Sequence, residues 1–345
     1  MSDPAHEGRS SCCNPGRVGS ADTTGTAKRG TPVSLGTVPV PRVLPTPVPR
    51  AAAAASGEAA DLGRRVDLPA ATFLMGNEDA HAVPGDGEGP VREARVGAFS
   101  IDAYAVTNAR FSAFVAATGY VTDAERFGWS YVCARFLPAE QRRLARRVPQ
   151  TPWWCAVPGA SWRQPEGPGS GLDGREDHPV THMSWADADT FCRWDGGRLP
   201  TETEWEYAAR GGLVGRRYPW GDELEPDGEI RCNIWQGPFP FRNTRTDGYL
   251  STVPVHMYEP NGFGLHNVVG NVWEWCADRF IPDRHPSVSA QGPKGPPSGR
   301  NRVMRGGSHM CHRSYCNRYR VAARSSNTPD SSAGNLGFRC VFDRP

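Results

Sequence analysis

The sequence predicts a single compact α+β domain with low regular secondary-structure content, and three observations point to it. Three segments opened by helix-capping residues and several short strand-like runs supply both kinds of element. The 39 Gly and 32 Pro interrupt regular elements too often for long helices or long strands. The 11 Trp, within a hydrophobic content of 38%, supply bulky apolar surface with which irregular loops can be packed onto a core. At 345 residues the chain can bury a substantial core, and length alone allows one large domain or two modest ones.

Residues 1–62 combine Pro, Gly, Ala, Ser and Thr with few large apolar side chains, so burial cannot offset chain entropy and a disordered N-terminal extension is expected. The folded domain is expected over 63–345. Cys12 and Cys13 read as an exposed thiol pair, with electron shuttling as the alternative. The first residues lack a basic stretch followed by an apolar one, so no secretory signal is expected and the protein is predicted to be cytoplasmic. Ten cysteines are scattered rather than framed in a small domain, which predicts mostly free, buried thiols. A net charge of +2 gives no electrostatic case for nucleic acid or an anionic membrane surface, and no apolar run is long enough to span a bilayer.

From Val66 the composition changes. Thr72 to Gly76 reads as a short strand ending in a glycine turn, and Val96 to Thr118 as a strand followed by a helix. Thr107 is the expected N-cap of that helix, Phe111, Phe114 and Val115 its buried face, and Gly119 its stop. Ser184 with Asp187, and Thr201 with Glu204, have the capping-box spacing and open two further helices, the second ending at Gly211 and Gly212. His178 and His182 have the HxxxH spacing of a helical metal site, but Pro179 argues against a helix and Ser184 stands where a third, carboxylate ligand would be wanted. Glu166 to Asp177 reads as a surface loop, and 283–301 as a long Pro/Gly loop.

Two regions carry chemistry. Between 232 and 275, Asn233, Asp247, Asn267, Asn271 and Glu274 lie among glycines, a mixture of oxygen donors that suits a hard cation and equally suits ordinary Asx turns. Near the C-terminus, Cys311 and Cys316 are flanked by His309, His312, Arg313 and Arg318, cationic neighbours of the kind that favour thiolate. A structural disulfide, half of a zinc site and a functional dithiol all remain open for this pair. A bridge over so short a loop would stabilise weakly, zinc wants four ligands, and a soft ion content with two thiolates, such as Cu(I), fits the count better. Arg318, Arg320 and Arg324 alternate with Tyr319, Val321 and Ala323, which predicts a strand with its arginines facing away from the core. Cys316 would stand just before that strand.

The run from Gly306 to Cys340, GGSHMCHRSYCNRYRVAARSSNTPDSSAGNLGFRC, resembles the catalytic signature of the formylglycine-generating enzymes, also called sulfatase-modifying factors. The resemblance continues upstream through GNVWEW at 270–275, NIWQGPFP at 233–240, RLPTETEWEYAARGG at 198–212 and HPVTHMSWADA at 178–188, and covers roughly residues 66–343. It implies the C-type-lectin-like superfold of that family, a formylglycine-generating catalytic domain over 63–345, and a copper-dependent oxidase. Such an enzyme converts the cysteine of a CxPxR segment in an unfolded or nascent sulfatase, or a related hydrolase, to Cα-formylglycine with O2 and an external thiol reductant.

By the same resemblance, Cys311 and Cys316 hold Cu(I), Ser308 and Trp273 line the catalytic pocket, and His312, Arg313, Tyr315 and Asn335 belong to its surroundings. Structural Ca2+ is implied at two sites: Asn233, the Ile234 carbonyl, Asp247 and the Tyr249 carbonyl for one, and Asn267, the Gly270 and Val272 carbonyls and Glu274 for the other. Cys192 and Cys340 match positions that can be bridged in the family. Val321 replaces a cysteine found in secretory-pathway members. A non-catalytic paralogue that binds sulfatase segments and a lectin-like ligand-binding module are the alternatives; the dithiol argues against the first.

Overall fold

The structure, a computed structural model, describes residues 15–16, 62–282 and 299–344. Apart from residues 15, 16 and 62, the extension expected to be disordered, Cys12 and Cys13 included, and most of the loop expected at 283–301 therefore lie outside the described residues. In chain order the elements are β1 (Arg65–Leu68), β2 (Ala71–Met75), β3 (Arg92–Val96), β4 (Phe99–Asp102), α1 (Asn108–Thr118), α2 (Asp123–Phe127), β5 (Trp129–Cys133), α3 (Ala139–Leu144), β6 (Arg146–Val148) and β7 (Thr151–Pro158). They continue as α4 (Trp185–Trp194), α5 (Glu202–Arg210), β8 (Trp273–Arg279), β9 (Arg302–Arg305), β10 (Arg324–Asn327), β11 (Leu336–Gly337) and β12 (Val341–Asp343). Between α5 and β8 more than sixty residues pass with no strand and only one short 3₁₀ turn, which is the irregular character that the glycines and prolines announce.

The helix ends obey local rules. Thr107 Oγ1 accepts the amide of Arg110 at 3.2 Å, and Gly119 ends α1 in the left-handed conformation. Ser184 with Asp187 and Thr201 with Glu204 each complete a capping box, and the same device at Thr122 and Glu125 opens α2. Phe111 and Phe114 on α1 meet Phe191 on α4 with ring centres 5.7 and 5.4 Å apart, so the two helices share one aromatic seam. Each such fully buried ring contributes about 2–3 kcal/mol through its transfer from water.

Four small sheets surround this core: β1-β4-β12, β10-β9-β8-β11, β2-β3 and β5-β7-β6. In the first, the last strand of the chain pairs antiparallel with β4, Val341 opposite Ile101, and β4 pairs with β1. Both ends of the folded domain are thereby joined in one sheet. The second sheet is antiparallel except that β11 runs parallel to β8, with Leu336 opposite Trp273. That single parallel pairing brings the residues just before β11 to the start of β8, which is where the candidate site forms.

The expected strand over 318–324 is corrected by the structure. The region from Asn317 to Ala323 is turn and irregular chain, and the strand β10 begins only at Arg324. The arginines do not face outward either: Arg320 and Arg324 are buried, Arg320 in a two-pronged pair with Glu88 at 2.6 and 2.7 Å and Arg324 against Glu202. Arg305, fully buried at the end of β9, reaches Glu202 at 2.8 Å and also Glu206. A buried guanidinium is tolerated only with a carboxylate partner and its remaining donors satisfied. Alternation therefore failed as a guide here because the side facing away from the apolar residues is lined with acids rather than with water.

Candidate active site

Two glycines bring the dithiol segment into place. Gly306 and Gly307 follow β9 with φ of 90° and 74°, and a Cβ on either would stand 2.7 Å from the Val268 carbonyl or 2.9 Å from Tyr319 Cα. Only glycine permits both the left-handed turn and that approach. Beyond them the chain turns at Ser308, whose carbonyl accepts the Cys311 amide at 2.8 Å, and again at His312, whose carbonyl accepts the amides of Tyr315 and Cys316 at 2.9 and 2.7 Å. The second turn folds the five-residue interval back on itself and places the Cys311 and Cys316 sulfurs 3.2 Å apart. Both thiols are buried, while Arg313 and Ser314 at the tip are exposed and His312, Tyr315 and Asn317 are half-buried.

The other expected pocket residues converge here. Asn335 Nδ2 donates to Ser308 Oγ at 3.0 Å, and the Asn335 carbonyl accepts the Trp273 amide at 2.9 Å, so Ser308, Asn335 and Trp273 form one connected set. Trp273 is fully buried, and its indole N–H has no acceptor among the described residues. Tyr315 stacks on Phe239 with ring centres 4.6 Å apart and meets Trp153 edge-on at 4.6 Å. The tyrosine between the thiols is thus anchored by an aromatic cluster drawn from two distant segments.

The electrostatic setting differs from the one expected from the sequence. Burial pushes the His309 imidazole down to about 4, so the ring is neutral near pH 7; its Nδ1 bonds the Asn271 carbonyl at 2.7 Å and its Nε2 has no partner among the described residues. His312 is also lowered, by burial and by Arg313. Arg318 is engaged by Asp86. The surroundings are therefore not the set of four free cations that the flanking sequence suggested: His309 is neutral, His312 is lowered, Arg318 is paired with Asp86, and Arg313 stands at the exposed tip. Beside His309 opens a narrow cleft whose walls include Asn108, Phe136, Trp154, Thr252 and Gly334.

HxxxH is accounted for by hydrogen bonds. His178 Nδ1 lies 2.9 Å from Thr252 Oγ1, and His182, at φ 61°, spends Nδ1 on Ser130 Oγ and Nε2 on the Pro165 carbonyl. The remaining described cysteines are buried and free, as expected, and burial raises the pKa of each of them, Cys133 to about 12. Cys192 on α4 faces Cys340 with the sulfurs 2.7 Å apart.

The two expected calcium sets fare differently. At the first, Asp247 is half-buried with its carboxyl pushed up by desolvation, and it accepts from the Tyr249 amide at 3.0 Å and the Tyr258 hydroxyl at 3.3 Å, with no basic side chain bonded to it among the described residues. A carboxylate left in that position suits a cation. Asn233 donates its Nδ2 to the Ser251 carbonyl, which leaves its side-chain oxygen for a ligand role. At the second, Asn267 Oδ1 is a buried acceptor with no donor among the described residues, which fits, and Asn267 and Gly270 both take positive φ. Glu274 does not fit as expected: both its oxygens are bonded by Arg339 at 2.7 Å and one also accepts Trp205 Nε1. Its charge is matched by Arg339, unlike that of Asp247.

Sequence reasoning missed Asp86, Glu88, Glu202 and Glu206, the acids that hold the arginines around the dithiol. Glu88 lies 232 positions from Arg320, so no local spacing could have revealed the pairing.

A compact α+β domain of the C-type-lectin-like superfold, carrying two close thiols on a half-exposed turn, defines a dithiol protein of that superfold. Residues 50–344 match the sulfatase-modifying factor enzyme 1-like domain, and the chain belongs to that family. It is 58% identical over 281 residues to the formylglycine-generating enzyme of Thermomonospora curvata, covering 81% of this chain and 93% of the relative. It is 46% identical over 280 residues to the inactive C-alpha-formylglycine-generating enzyme 2 of Mus musculus, covering 80% and 84%. Among solved structures, PvdO from Pseudomonas aeruginosa superposes with a TM-score of 0.57 at 23% identity, covering 81% of this chain and 94% of PvdO, a likeness of fold alone.

Proposed function

We propose that this protein converts the cysteine of a CxPxR segment, in an unfolded sulfatase or related hydrolase, to Cα-formylglycine, using O2, a thiol reductant and Cu(I) held by Cys311 and Cys316. The observation that carries the reading is the sulfur pair, 3.2 Å apart on a turn whose tip reaches solvent, in a chain 58% identical to a formylglycine-generating enzyme. The donor set suits a soft monovalent ion: two sulfurs converge, and no group of three or more His, Cys, Asp or Glu able to hold a metal occurs among the described residues. Copper(I), when bound there, supplies a thiophilic acceptor for a third thiolate and one-electron chemistry with O2.

The protein residues have separate tasks. Ser308 Oγ accepts from Asn335 and, at 3.3 Å, from the Met310 amide, so its own O–H would be left to donate to a substrate atom. The family resemblance assigns Trp273, whose indole N–H has no acceptor among the described residues, as a second donor. Such fixed donors in a dry pocket stabilise developing negative charge without reorganising. The aromatic cluster around Tyr315 keeps the turn from relaxing and shields the sulfurs from bulk water. In net terms R–CH2SH, O2 and two thiols give R–CHO, H2S, a disulfide and water; O2 accepts two electrons from the substrate cysteine and two from the reductant. Calcium at Asn233 and Asp247, with the Ile234 and Tyr249 carbonyls, would hold the long irregular segment after α5 rather than take part in chemistry.

Incubation with Cu(I), thiol, O2 and a peptide containing CTPSR, followed by mass spectrometry, tests the reading. An aldehyde that requires copper and is lost in Cys311→Ser and Cys316→Ser supports it. Peptide binding without aldehyde assigns the chain the role of an inactive relative instead. Calcium found in metal analysis of protein purified without chelators, and lost in Asp247→Asn, supports the structural site.

A further inference from the structure

The N-terminal extension carries the pattern that the proposed activity acts upon. Cys13-Asn14-Pro15-Gly16-Arg17 reads C-x-P-x-R, and of the ten cysteines in the sequence only Cys13 heads it. Two residues of this segment, Pro15 and Gly16, are described, and both rest against the folded domain. Pro15 is buried and Gly16 half-buried. Asn327 Nδ2 donates to the Pro15 carbonyl at 3.4 Å, and the Tyr131 hydroxyl donates to the Gly16 carbonyl at 3.3 Å. A Cβ on Gly16 would come to 3.1 Å from Asn327 Oδ1 and 3.7 Å from Thr328 Cγ2, so the backbone lies directly on that wall.

The wall is continuous with the dithiol site. Tyr131 on β5 donates its amide to the Ser332 carbonyl at 3.3 Å and accepts the Gly334 amide at 3.0 Å, so β5 and the 327–334 loop form one surface. The next residue, Asn335, bonds Ser308, whose carbonyl holds the Cys311 amide. Contacts made through backbone carbonyls are the kind by which an extended peptide is bound whatever its side chains. Proline keeps such a segment extended.

We propose that Cys13 to Arg17 is a substrate segment carried in cis: its Pro15 and Gly16 rest on the wall formed by Tyr131, Asn327 and Thr328, and Cys13 is itself converted to formylglycine. This rests on the proposed CxPxR activity. The step has the same balance: the Cys13 C–S bond breaks and sulfur leaves as H2S, Cβ becomes an aldehyde, O2 takes four electrons, two from Cys13 and two from a pair of small-molecule thiols that join as a disulfide, and one water is the net by-product.

The full chain, incubated with Cu(I), thiol and O2 and then digested with trypsin, yields the peptide Ser10 to Arg17 for sequencing by tandem mass spectrometry. The expected result is replacement of the two hydrogens and sulfur by oxygen at Cys13, retained in Cys12→Ala, lost in Cys13→Ala and in Cys316→Ser, at a fractional rate that dilution of the protein does not slow. An intact Cys13 thiol in a sample that converts a separate CxPxR peptide overturns the inference and leaves the proposed function standing. A rate that falls in proportion to dilution overturns docking in cis. Failure to convert either cysteine removes both readings.

Discussion

Cys311 with Cys316 and Cys192 with Cys340 are two buried sulfur pairs of nearly the same spacing, 3.2 and 2.7 Å, set in opposite mechanical surroundings. The first pair is five positions apart on a turn with an exposed tip. The second joins α4 to the segment entering β12 across 148 positions, inside the aromatic core, and both of its thiols are held well away from thiolate by burial. Linking residues so far apart removes much denatured-state entropy, about 5 kcal/mol on a loop-closure estimate, whereas a link over the short turn is worth about 2. Proximity of two sulfurs therefore does not define their use; the length of chain between them and the access around them do. A link would stabilise the fold most at the second pair, and the proposed chemistry needs the first.

Four measurements break or sharpen that contrast. In the peptide assay, Cys311→Ser or Cys316→Ser is expected to lower aldehyde formation by at least about a thousandfold, while leaving the thermal midpoint within a few degrees; Cys340→Ser should show the reverse pattern. Mild oxidation of a Cys311→Ser protein, which leaves the 192–340 pair able to close, should raise unfolding free energy in urea by up to about 5 kcal/mol, and the gain should vanish in Cys192→Ser. Replacing Glu88 by Gln strips the buried Arg320 of its carboxylate four positions after Cys316, at a cost of roughly 3–5 kcal/mol. Native-state hydrogen exchange should then locate the loosening in the dithiol turn and spare α4 and β12.

The smallest effect concerns pH. His309 is held neutral, with its pKa pushed from 6.5 down to about 4, so below pH 6.5 the unfolded chain binds the proton before the folded one does. Stability at this residue is full above pH 6.5 and is lost as pH falls toward 4, by about 3 kcal/mol at most. His182 acts in the same direction, while Asp187 and Asp278, raised to about 7, oppose it across the same range. The informative quantity is thus the difference between wild type and His309→Gln. That difference should shrink between pH 6.5 and 4, and an unchanged difference would remove the neutral buried imidazole from the description of the dithiol side.

Features set by neighbours in sequence were legible beforehand. Thr107, Ser184 and Thr201 cap helices because a side-chain oxygen needs only the next turn's amides, and Gly119 and Gly211 stop them because only a left-handed residue is wanted there. The dithiol was legible because its two sulfurs and their turn lie within one short run. The arginines after Cys316 were not. Their alternation with apolar residues carries no sign of what faces them, and the acids that draw Arg320 and Arg324 inward sit at Glu88 and Glu202.

By itself the sequence determined the capped helices, the loop-rich α+β class, the family resemblance and the close pairing of Cys311 with Cys316, since each rests on interactions closed within a few residues or on a continuous motif. Only the tertiary structure decided which charges surround those sulfurs, that Glu274 belongs to Arg339, and that Pro15 and Gly16 lie on the wall leading to Ser308. Those contacts join positions tens to hundreds of residues apart, and a distance in space of that kind is fixed by how the core packs, not by any spacing along the chain.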